Sequence, residues 1–88
     1  MATLSIFFGL IIKMFNEKGG KHNIPHIHVY YGDDKAVFDF EGNVLEGDLP
    51  KKKIRMVQTW IDIHQEDLMA NWLLLSSGEQ FFKIDPLR

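Results

Sequence analysis

His26-Ile-His-Val-Tyr-Tyr-Gly-Asp-Asp-Lys-Ala-Val-Phe-Asp-Phe40 is the stretch that decides the fold. Two runs rich in β-branched and aromatic residues flank Gly32-Asp33-Asp34. A connection that short joins only antiparallel strands. In the second run Ala36, Phe38 and Phe40 share one face and Val37 and Asp39 the other, the period-two pattern of a strand. Downstream, Glu41-Gly42-Asn43 marks another turn and residues 44–46 a short fourth strand. Upstream, residues 6–15 read as one strand with Ile6, Phe8, Leu10, Ile12 and Met14 on one side. Phe7, Ile11 and Phe15 lie on the other side with Lys13. Apolar residues on both faces predict a central strand covered on both sides. Residues 16–21, with Gly19-Gly20, form a loop, and Pro25 fits only the start or edge of the strand that follows.

At Pro50 the composition changes. Proline suits the first turn of a helix, and the spacing predicts one helix over 51–77, ending before Gly78. Ile54, Val57, Ile61, Leu68, Trp72 and Leu75 step by three, four or seven and make one amphipathic stripe, with His64 in its middle. Met56, Trp60 and Leu73 widen the apolar arc. At the helical rise the element is about 40 Å long. After Gly78, Phe81-Phe-Lys-Ile-Asp-Pro86 reads as a further short strand. The sequence thus predicts a single α+β domain over 1–88: an antiparallel sheet of about four strands, with that short C-terminal strand as a fifth, packed against one long helix.

A chain of 88 residues buries one modest core, so a bound metal or oligomerisation bears on its stability. Ten basic and 12 acidic residues give a net charge of −2, which disfavours broad electrostatic binding to nucleic acid or anionic membrane. There is no cysteine, which excludes disulfides, thiolate nucleophiles and Cys-based zinc sites and is compatible with a cytoplasmic setting. The apolar run near the start is too short to span a bilayer and carries Lys13.

Three of the four histidines fall in His22-Asn-Ile-Pro-His26-Ile-His28. Strand residues two apart point to one face, so His26 and His28 can reach one ion, and His22 in the preceding loop supplies a third ligand. Three histidines with an open position suit a zinc-like divalent metal. His64, Glu66 or Asp67 would add a fourth ligand or a base. The alternative is structural: His26 and His28 as the polar side of a half-buried strand, and His64 as a core histidine bonded to a backbone carbonyl. If the helix packs on the Ile27/Val29 face, His64 lies across the sheet from the other two. Lys51-Lys52-Lys53 and Arg55 crowd the helix start, where basic charge is unfavourable. Lys51, Lys52 and Arg55 are therefore candidates for an anionic partner, against the reading of a solvated face.

The two-sided first strand bears on assembly. One helix covers one sheet face, so Phe7, Ile11 and Phe15 or the opposite set would need a second cover, which a symmetric homodimer would supply.

Phe8-Gly9-Leu-Ile-Ile-Lys-Met-Phe15, the histidine segment through Tyr31, Leu45-Glu46-Gly47-Asp-Leu49-Pro50 and Trp60-Ile-Asp-Ile-His64-Gln-Glu-Asp-Leu68-Met-Ala-Asn71-Trp72 together make the chain resemble the bacterial domain-of-unknown-function 4160 family. In that family the first motif reads His-x-x-Pro-His-x-His or His-x-Pro-Pro-His-x-His; here Ile24 stands where a proline is common. The resemblance marks His22, Pro25, His26, His28, His64 and Trp72 as characteristic positions. It implies no established activity. It implies a partner protein encoded nearby, in a toxin–antitoxin-like two-protein module.

The leading expectation is a small cytoplasmic protein that acts with its partner and uses His22, His26 and His28, with His64, as a metal or phosphate/anion site; three forms of it follow. As an enzyme, the chain would hydrolyse a phosphodiester of nucleic acid, with His26, His28 and His64 as bases or ligands and Lys51, Lys52 or Arg55 holding phosphate. As a binding module, it would use its histidines to hold a loop and its sheet edge to bind a protein. As a metal-stabilised structural module, it would need the ion only to fold.

Overall fold

The computed structural model describes residues 2–15 and 24–88. Five strands, β1 (Ala2–Phe7), β2 (Leu10–Met14), β3 (His26–Tyr31), β4 (Asp34–Asp39) and β5 (Val44–Gly47), precede two helices, α1 (Lys51–Ile63) and α2 (Gln65–Ser76). The strands form one antiparallel meander in sequence order. The α+β class and the antiparallel sheet agree with the sequence reading. Three elements differ.

The expected single strand over 6–15 is a hairpin. Phe8 and Gly9 both take positive φ, 48° and 80°, which is the two-residue turn whose twist matches its flanking strands. Phenylalanine is a poor residue for that conformation. Its carbonyl is held by Nζ of Lys53 at 2.9 Å, and its ring meets Phe7 edge-on. The turn re-aims the side chains. Phe7 pairs with Leu10 across the hairpin and joins the core, whereas Ile6 and Phe8 are exposed. Phe7, Ile11 and Phe15 therefore do not form one uncovered face; instead Ile6 and Ile11, paired across the hairpin, lie on the sheet face away from the helices, with Ile6 exposed.

The expected single helix is broken at His64, whose backbone (φ −112°, ψ 32°) leaves the helical region. The Ile61 carbonyl accepts the His64 N–H and the side-chain amide of Gln65. The same amide reaches the Phe40 carbonyl. The break thus ties the helical pair to the turn after β4.

The expected strand over 81–86 is irregular. One ladder-like bond joins it to β1, from Ile84 N–H to the Leu4 carbonyl. Buried Asn71 holds it from the other side, accepting from Phe82 N–H and donating to the Phe82 carbonyl. Trp60 Nε1 donates to the Asp85 carbonyl.

The core lies between one sheet face (Leu10, Ile12, Met14, Ile27, Val29, Ala36, Phe38) and Val57, Trp60, Ile61 and Leu68 of the helices. The helices therefore pack on the Ile27/Val29 side.

Candidate functional site

β3 positions two of the predicted histidines. His26 opens the strand opposite Asp39, and His28 lies between Lys13 and Val37. The alternation that sends Ile27 and Val29 to the core puts His26 and His28 on the strand's other face, and Trp72 of α2 reaches His26 where the strand begins. The rings are side by side, with centroids 5.3 Å apart. Both are buried, His26 at 1% exposure and His28 at 8%. Their walls are aromatic: Trp72 of α2 lies 5.3 Å from His26, Phe15 stands edge-on to His28 at 4.5 Å, and Phe40 meets Trp72 edge-on.

His26 Nδ1 lies 2.7 Å from the Ile24 carbonyl. A carbonyl only accepts, so Nδ1 carries the proton in that bond and a neutral ring keeps its lone pair on Nε2. Metal-bound histidines have this arrangement, with one nitrogen on a backbone carbonyl and the other on the ion. The spacing of the rings agrees. Two imidazoles on one tetrahedral ion, with bonds of about 2.0–2.1 Å, hold their ring centres about 5 Å apart. Among the described residues no group of three or more His, Asp or Glu is placed to share an ion. The expected third ligand, His22, lies outside the described residues, as does the 16–21 loop.

His64 belongs to a different group of rings. It sits 5.3 Å from Trp60, which in turn lies 5.7 Å from Phe7. Its Nδ1 is 3.8 Å from an Asp67 carboxylate oxygen, a long contact within one helical turn.

The basic residues are elsewhere again. Lys53, which the sequence reading left out of the anion set, is engaged with Phe8 and with the face of Tyr31, 4.9 Å away. Lys51, Lys52 and Arg55 leave the same end of α1 and are exposed. Tyr31 and His26 close opposite ends of β3, about 16 Å apart at the strand rise. The fold therefore separates the cations from the histidine pair along the length of the sheet.

Trp72 and Gln65 are the residues that periodicity missed. The stripe counted Trp72 as helix packing, yet its ring walls His26. Gln65 had no signal, because its two carbonyl partners, of Ile61 and Phe40, come together only in the fold.

Asp39, opposite His26, titrates below its ordinary value. Burial acts to raise it, but hydrogen bonds outweigh burial: from the Asn43 side chain, then from the backbone N–H groups of Asn43 and Glu41. The ionised carboxylate closes the turn between β4 and β5.

Among the described residues no helix is long and apolar enough to cross a membrane. No curated protein and no solved structure matches the chain. A family model described as Domain of unknown function (DUF4160) matches residues 9–73.

Proposed function

We propose, for a chain that belongs to the DUF4160 family, a metal-stabilised binding module rather than a hydrolase. His26 and His28, completed by His22, hold one divalent, zinc-like ion that fixes the junction between the preceding loop and β3. The observation that carries this reading is the pair of buried rings 5.3 Å apart, one of them anchored through Nδ1 to a backbone carbonyl. Burial favours a closed, structural site over one with an open position for substrate. The separate seat of His64 beside Trp60 and the remote position of Lys51, Lys52 and Arg55 weigh against phosphodiester hydrolysis, which needs base and phosphate clamp together. The module acts by binding a partner protein, as one half of a two-protein pair of the toxin–antitoxin kind.

Elemental analysis and melting curves test the metal. We expect one divalent ion per chain and a midpoint that falls by roughly 10 °C or more in chelator. A protein purified without any metal, whose melting ignores both chelator and added zinc, would overturn the reading.

A further inference from the structure

Beside the histidine corner runs an open groove whose chemistry changes along its length. One half, of about 380 Å³, lies against Ile24, Pro25, Met69 and Asp39. The other, of about 370 Å³, lies against Gln58, Ile61 and Asp62. Phe40, Glu41 and Gln65 line both, so the two halves are continuous. Ile24 is 48% exposed and Met69 41%, and both line the same half of the groove. At the other half Glu41 and Asp62 are exposed carboxylates from different elements. Asp62 of α1 and Met69 of α2 stand on either side of the break at His64, so both helices wall the groove, which takes a few residues of extended chain.

We propose that this groove binds an extended segment of a partner protein with an apolar residue and, two positions on, a lysine or arginine. In an extended chain these two side chains lie on the same side, about 7 Å apart. The apolar one covers Ile24 and Met69. The cation lies between Glu41 and Asp62. Charge complementarity selects this occupant. Three carboxylates line the groove, Asp62 in one half, Asp39 in the other and Glu41 in both, and Lys51, Lys52 and Arg55 stand at the far end of α1 from Asp62. An acidic segment would be repelled here, and a wholly apolar one would bury the carboxylates without partners. The proposal rests on the partner-binding half of the function given above and not on the metal.

Titration of the isotopically labelled full chain with acetyl-Ala-Leu-Ser-Lys-Ala-amide, followed by amide NMR shifts, tests it. We expect saturable shifts at Ile24, Glu41, Asp62 and Met69, weakened by added salt. The peptides Ala-Leu-Ser-Glu-Ala and Ala-Ser-Ser-Lys-Ala should each bind about tenfold more weakly. Glu41→Lys should abolish the charge preference, and Met69→Ser should abolish the advantage of leucine over serine. Both side chains are exposed, so metal content and melting should stay as in the parent, which separates failure of the groove from failure of the metal site. Equal binding of the acidic and basic peptides, shifts confined to the other end of the molecule, or the absence of saturable shifts would overturn the proposal. Concentration-dependent shifts at the groove without peptide would do so as well, because they would identify a second copy of this chain as the occupant.

Discussion

The two ends of the histidine set are built by different kinds of backbone. His26 and His28 share a face because a strand repeats every two residues, and they are buried together between Trp72 and Phe15. His64 sits where a helix stops, half-buried, with Trp60 and Asp67 of its own helices as neighbours. The difference teaches that residue type alone does not make a site. The strand makes a pair, and the helix break seats His64 apart from it, beside Trp60.

The largest effect that would break this comparison belongs to His26. Replacing it with alanine removes a fully buried ring from between Trp72 and His28, which should cost about 2–4 kcal/mol by cavity formation alone. Thermal melting in excess chelator isolates that cost from any metal contribution. A loss below about 1 kcal/mol would place His26 among ordinary surface residues.

His64→Ala should cost less, under about 1 kcal/mol, because its long contact with exposed Asp67 contributes little and its backbone bonds do not depend on the side chain. Denaturant unfolding measures it. A loss equal to that of His26→Ala would erase the distinction between the two seats.

The smallest effect concerns acid. The folded-state pKa of Asp39 lies below the ordinary 3.8, so its contribution to stability is fully present above that value and fades as pH falls through the folded one. Asp39→Asn should flatten the acid limb of the stability curve and leave neutral-pH metal content alone. Because Asp39 pairs with His26 across the strands, the protection of the His26 amide, relative to its intrinsic exchange rate, should fall in acid before that of the His64 amide. The opposite order would contradict the placement of the two histidines in separate corners.

Much of the fold was legible from particular residues. Alternation through 26–31 and 35–40, the turns at Gly32 and Gly42, and Pro50 opening the helix all describe local backbone preferences, and the structure keeps them. The pairing of His26 with His28 followed from the same alternation. The hairpin at Phe8-Gly9 was not legible, because an apolar run from Ile6 through Met14 has the same pattern whether or not it folds back, and phenylalanine does not signal a turn. Nor was the break at His64. Ile61 and Leu68 keep a seven-residue step across it, and both are buried.

The sequence by itself determined the three strands from His26 to Gly47, where the helical half begins, the family, and that two imidazoles share a face. Only tertiary structure decided that residues 2–14 form two strands, that the helix ends at His64, and that His64 and the lysines stand apart from the pair. The reason is range. Side-chain alternation and turn chemistry act within a few residues. A lysine held on the Phe8 carbonyl, or a glutamine bridging two carbonyls, exists only after distant segments have met.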